Sequence, residues 1–159
     1  MSRIVIRLAM PFDLPEIVTL QRAAIGTTAS HYGAEELAAW AAGPTDGLRA
    51  LVAAGRYRVA DRGGTLLGGA GWEEGADGAS ATIRAVFVHP AAHGRGIGAA
   101  LVTAIEEEFA RRGIFRLIVP AALNAVGFYQ RLGYVPLERR VAELDGVRLP
   151  YLQMLKQAA

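Results

Sequence analysis

The stretch Val86–Leu101, VFVHPAAHGRGIGAAL, decides the fold. Ala85 to Val88 form a short β-branched and aromatic run, and Pro90 closes it because proline cannot donate to a strand ladder. A glycine-rich turn follows, His93-Gly94-Arg95-Gly96-Ile97-Gly98, after which Ile97, Leu101 and Ile105 recur every four residues as one helical stripe. Strand, glycine turn, helix is an order with a physical use. The first turn of a helix carries unpaired N–H groups and the positive end of the macrodipole. Glycines at 94, 96 and 98 leave no Cβ to hold a phosphate away from those groups, and Arg95 and a protonated His93 add charge.

The specific phosphate motifs discriminate further. The P-loop form needs a Lys-Ser or Lys-Thr pair after its last glycine, and none follows Gly98. A permissive dinucleotide fingerprint does fit Gly94, Gly96 and Ala99. The next apolar run, Phe115–Pro120, has no acidic residue to hold a ribose, so a nicotinamide or flavin site is the weakest of the readings.

The same residues resemble motif A of the GCN5-related N-acetyltransferases (GNAT), which runs Gln or Arg, two residues, Gly, one residue, then Gly or Ala. Gly96 and Gly98 match it, and His93 stands in the Gln/Arg place. A second segment, Asn124–Tyr134, NAVGFYQRLGY, resembles the family's later segment of Asn, a spacer, Phe-Tyr, three residues, Gly and an aromatic. The two segments lie in the family's order. The resemblance implies an α/β GNAT fold: a mixed, mostly antiparallel sheet with one parallel strand pair splayed around acetyl-CoA, flanked by helices. It implies acetyl-CoA as cosubstrate, held by Val86, Phe87, Val88, His93, Gly94, Arg95, Gly96, Ile97, Gly98, Asn124, Phe128 and Tyr129. Tyr129 would protonate the departing thiolate as general acid, although on residue type alone it reads as a core aromatic beside Phe128. Backbone N–H groups near Val86 or Phe87 would stabilise the oxyanion.

The implied reaction is acetyl transfer to a primary amine of a small molecule. A rival on the same fold is a non-catalytic acyl-CoA-binding or sensor protein. Arg84, in a central strand and on the side of Val86 and Val88 if alternation holds, needs an anionic partner. That partner is either an internal glutamate or a substrate carboxylate near Tyr32, Trp40 and Trp72, which would make the acceptor an amino acid or similar zwitterion. The base stays open among Glu73, Glu74, His31 and a water chain, since the segment Ala81–Val88 carries no carboxylate. Asn124 reads as an N-cap that also contacts the coenzyme, Arg131 as a phosphate contact or a solvated residue, and His89 as structural. Three scattered histidines and no cysteine give no metal site and no disulfide.

Bulk properties bound these readings. The 159 residues suit one domain over 1–159, and 52% hydrophobic with 20% charged residues describes a globule with generous apolar content. A net charge of +2 implies no nucleic-acid partner. No run approaches a membrane span, Arg3 and Arg7 interrupt any signal-like core, and the expected location is the cytoplasm. A homodimer is the candidate assembly.

Outside the motifs, Ile4–Leu8 alternates as a strand. Asp13 with Glu16 reads as a capping box opening a helix whose inner face is Ile17, Leu20 and Ala24. His31–Ala42 reads as a helix ended by Gly43 and Pro44, and Asp46–Ala54 as another short one. From Arg56 the period falls to two, giving three antiparallel strands that end with Val88. Gly68, Gly69 and Gly71 inside the middle strand make room either for a large neighbour such as Trp40 or for substrate. Helices over Gly96–Arg112 and Asn124–Leu132 enclose the strand Phe115–Val119, and strands over Tyr134–Val141 and Arg148–Leu155 close the chain.

Overall fold

The sheet follows from the sequence period. A computed structural model describes residues 3–28, 31–41 and 46–158. Seven strands run β1 (Ile4–Leu8), β2 (Tyr57–Arg62), β3 (Thr65–Glu74), β4 (Ser80–Val88), β5 (Arg116–Ala121), β6 (Val135–Leu144) and β7 (Val147–Gln157), in spatial order β1-β2-β3-β4-β5-β7-β6. Every neighbouring pair is antiparallel except β4 and β5. Helices α1 (Leu14–Ile25), α2 (Ala34–Ala41), α3 (Asp46–Ala53), α4 (Ile97–Arg111) and α5 (Val126–Arg131) flank it. No described helix is long and apolar enough to cross a membrane.

Two buried clusters show how the faces are covered. The stripe read from the sequence, Ile97, Leu101, Ile105 and then Phe109, lies on α4 and packs with Leu67, Ala70, Trp72, Ile83 and Leu117 on one face of the sheet. The leucine, isoleucine and phenylalanine side chains among these each contribute roughly 1.5–3 kcal/mol when fully buried. On the other face Ile17 of α1 and Leu48, Leu51 and Val52 of α3 meet Tyr57, Val59 and Leu66.

Asp13 does not cap α1 as the spacing predicts. It sits in helical conformation with no capping bond, because Arg7 takes its carboxylate at 2.8 and 3.0 Å and the Met10 N–H takes it at 2.7 Å. Glu16 is drawn to β3, where it accepts from the Leu66 N–H at 2.8 Å. The second helix begins only at Ala34, where Glu36 reaches back to the Gly33 N–H. Its expected end at Gly43 and Pro44 lies outside the described residues.

The glycines of β3 are explained by packing, but the neighbour is Tyr57 and not Trp40. A Cβ on Gly69 would stand 2.6 Å from the Tyr57 ring and hydroxyl, and one on Gly71 2.7 Å from the same ring. A Cβ on Gly68 would face the opposite side, 3.0 Å from Leu101 Cδ1.

Candidate active site

Three departures from regular structure make one cleft. The first is the parting of the parallel pair. Strands β4 and β5 pair only through Ser80, Ala81 and Thr82, so the strands separate before Ile83, earlier than Val88. Strand β4 still pairs with β3 as far as Val88, which leaves its other edge bare from Ile83 onward. Bare N–H and C=O groups in a protein interior need partners, and an extended ligand with amides can supply them.

The second departure is a bulge in β4. Gly69 faces Phe87 while Gly71 faces Arg84, so Ala85 and Val86 together oppose Ala70. Ala85 takes φ of 53°, in the left-handed region that non-glycine residues rarely enter. The extra residue breaks the alternation that would put Arg84 on the side of Val86 and Val88. Val86 and Val88 pack with the α4 cluster, whereas Phe87 meets Trp40 of α2 with ring centroids 6.3 Å apart. Arg84 pairs with a glutamate of the chain, Glu73, at 3.4 Å, one of its two expected partners, but at 46% exposed the guanidinium is not buried.

The third is the turn into α4. Gly96 precedes the helix with φ of 74° and Gly94 has φ of 78°, and a Cβ at either would meet nothing within 4 Å. The turn is open. The first bond of the helix joins the Ala100 N–H to the Gly96 carbonyl at 3.0 Å, so the amides of Ile97, Gly98 and Ala99 point out of the helix start with no carbonyl before them. Gly98 serves packing: its position leaves 3.1 Å between a would-be Cβ and Phe128 Cζ.

These features enclose a cavity of about 800 Å³ with two halves. One half is lined by Val86, Val88, His93, Gly94, Gly96, Ile97, Gly98, Asn124, Phe128 and Tyr129; the other by Gln21, Ala24, Ile25, Thr27, Trp40, Arg84 and Phe87. His93 is exposed and places Nε2 3.1 Å from the Val88 carbonyl, tying the turn to the strand end. His89 accepts from the Ala91 N–H through Nδ1, a structural contact. Arg95 is exposed and outside the lining. Asn124 lies inside the turn Leu123–Ala125 and caps nothing; Ala122 and Ala125 hold the capping positions. Its side chain is thereby left to the cleft, where Arg131 also reaches.

Tyr129 is 4% exposed and lines the cleft between Phe128 and Tyr134, with centroids at 4.9 and 5.7 Å. Burial holds its phenol well above the usual titration range, so it keeps its proton at neutral pH and has it to donate. Its carbonyl receives the Tyr134 N–H at 3.0 Å, which fixes the end of α5. The Tyr134 hydroxyl donates to Glu106 at 2.7 Å, and Lys156 bonds the same carboxylate, so the ring behind Tyr129 is locked.

Of the residues expected beside an acceptor, Trp40 lines the cleft and Tyr32 stacks edge-on against it at 5.5 Å. The Tyr32 hydroxyl is already used: it donates to the Pro150 carbonyl and accepts from the Leu123 N–H. Trp72 is elsewhere. It is 1% exposed on the α4 face and packs edge-on against Phe109, because its β3 position points away from α1 and α2. Glu74 is bound by Arg56 and Arg112, and no carboxylate lines the cleft among the described residues. Sequence reasoning missed Gln21, Ala24, Ile25 and Thr27, which line the cleft from the end of α1 and the turn after it. Among the described residues no group of three His, Cys, Asp or Glu is placed to hold a metal ion.

Known proteins share this fold. Residues 53–136 match the family model described as an acetyltransferase (GNAT) domain. A solved GCN5-related N-acetyltransferase from Rhodopseudomonas palustris superposes with a TM-score of 0.85 at 29% identity, covering 99% of this chain and 97% of its own. The putative acetyltransferase yncA from Salmonella typhimurium, solved with its cofactor acetyl-CoA, gives 0.72 at 23% identity over 99% and 95%. PaiA N-acetyltransferase from Thermoplasma acidophilum, in complex with coenzyme A, gives 0.75 at 21% over 98% and 99%. No curated protein sequence matches the chain.

Proposed function

The chain belongs to the GCN5-related N-acetyltransferase (GNAT) family, and on that premise we propose that it is a single-domain enzyme moving the acetyl group of acetyl-CoA directly onto a primary amine of a small molecule. One observation carries the reading: the edge of β4 bared after Thr82 leads along one cleft to the open amides before Ala100. The coenzyme fits what is there. A diphosphate needs amides unobstructed by a Cβ, which Gly94 and Gly96 provide, and an amide-bearing arm needs free backbone partners, which the β5-side edge of β4 beyond Thr82 provides, apart from the Val88 carbonyl that His93 holds. Two of the structural relatives hold coenzyme A or acetyl-CoA.

In the reaction the amine nitrogen bonds to the thioester carbon, the C–S bond breaks, and the thiolate takes a proton. The Val86 N–H is the donor placed for the carbonyl oxygen as charge gathers on it, a type of contribution worth about 2.7–4 kcal/mol. Tyr129, neutral and lining the cleft, supplies the proton to sulfur. The acceptor occupies the half bounded by Trp40, Phe87 and Arg84, where the guanidinium selects an amine that also bears a carboxylate. With no carboxylate lining the cleft among the described residues, the amine proton leaves through water in the cleft.

The test is acetyl-CoA-dependent thiol release with the protein amino acids and their carboxamides as acceptors. Free acids should turn over and amides should not, and Arg84→Met should raise the acceptor KM while leaving that of acetyl-CoA unchanged. Coenzyme binding without acceptor-dependent thiol release from any amine would instead favour a sensor of the same fold.

A further inference from the structure

Tyr57 begins β2, one strand beyond β3 from the cleft, yet its hydroxyl donates to the Ala85 carbonyl on β4 at 2.8 Å. The side chain crosses β3 where two glycines let it pass, since a Cβ at Gly69 or Gly71 would strike the ring at 2.6 or 2.7 Å. The ring is fully buried, and burial keeps the phenol protonated. The group it holds is unusual. Ala85 is one of two non-glycine residues with positive φ among those described, and it lies in the bulge that interrupts β4. Such a conformation persists only where surroundings over-determine it. A peptide unit is planar and trans, so fixing the Ala85 C=O fixes the Val86 N–H, which points the opposite way, away from Tyr57.

We infer that Tyr57 is a positioning residue for acyl transfer: its hydroxyl holds the Ala85–Val86 peptide unit turned so that the Val86 N–H meets the acyl carbonyl oxygen. This rests on the acetyltransferase reading and gives the glycines of β3 their purpose. Tyr57 touches neither coenzyme nor acceptor. It acts through one backbone unit.

The experiment is Tyr57→Phe, which keeps the ring and removes the hydroxyl, assayed with acetyl-CoA and the best acceptor of the amino-acid panel. The kcat should fall about ten- to hundredfold while the KM for acetyl-CoA stays within about twofold. Adding Ala85→Gly should recover about fivefold, because glycine takes a positive φ without penalty and keeps the bulge populated. In ¹⁵N-labelled protein the Ala85 and Val86 amide resonances should shift and broaden in Tyr57→Phe, with those of α4 unchanged. An unaltered kcat, unmoved Ala85 and Val86 resonances, or a rate loss that tracks thermal stability and coenzyme KM would overturn the role. Wild-type turnover with an unimpaired Tyr57→Phe enzyme sinks this inference alone; a wild type that transfers nothing to any amine sinks the acetyltransferase reading and the inference together.

Discussion

Gly69→Ala is the most informative single perturbation of the fold. The new methyl would lie 2.6 Å from Tyr57 Cε1 and Oη and 2.9 Å from Cζ, against an ordinary carbon contact of about 3.5 Å. The ring must retreat by nearly an ångström, yet it is fully buried within the Ile17, Leu51 and Val59 cluster. Overpacking of this kind costs about 1–3 kcal/mol, and pulling the hydroxyl off the Ala85 carbonyl adds about 1 kcal/mol. The sum, about 2–4 kcal/mol, corresponds to a melting temperature lowered by roughly 5–15 °C for a chain of this size. Thermal and urea unfolding monitored by circular dichroism reads it directly. In a Tyr57→Leu background the same alanine should cost less than about 1 kcal/mol, because the atoms it strikes are gone. A Gly69→Ala protein that melts with the wild type, or one equally destabilised in both backgrounds, would refute the claim that these glycines exist for the tyrosine.

Tyr129→Phe should lower kcat by about a hundredfold and leave coenzyme A affinity by calorimetry unchanged, since only the proton donor is lost. Gly96→Ala forces a side chain onto φ of 74°, and coenzyme A affinity should fall about tenfold; a Kd equal to wild type would show that the turn needs no glycine there. Arg7 depresses the Asp13 pKa below its ordinary 3.8. The stability this pair contributes is therefore complete above that value and lost as pH falls through the folded one. Asp13→Asn should cost about 1.5–3 kcal/mol at pH 7 and nothing once both forms are neutral in acid, which urea titrations at stepped pH would show. Gly47→Ala, within α3 and with nothing within 4 Å, should raise stability by up to about 1 kcal/mol in the same melts.

The strand-turn-helix run and the Asn124–Tyr134 segment were legible because their chemistry is local: glycine spacing, a proline stop and a four-residue stripe need no partner to be read. What failed to be legible depended on distant residues. The Arg84 side chain was misplaced because a bulge at Ala85 leaves no mark in the sequence of β4 and shifts every later side chain to the other face. Trp72 looked like a substrate aromatic by residue type alone, whereas its face is set by the β2 and β3 register. Asp13 had the spacing of a cap, but Arg7, six residues earlier, outbid the helix end for its carboxylate. The glycines of β3 announced a close neighbour without naming it. Tyr57 could have been suspected from its place opposite Gly71 once the hairpin register was drawn.

The central claim is that the parted strands and the open helix start form one coenzyme site. A crystal structure with acetyl-CoA tests it most directly. The account predicts the diphosphate on the amides between Gly94 and Ala99, the pantetheine amides bonded to β4 along Val86 to Val88, and the thioester sulfur beside the Tyr129 hydroxyl. Coenzyme seated elsewhere on the protein, with the β4 edge still bare, would contradict it.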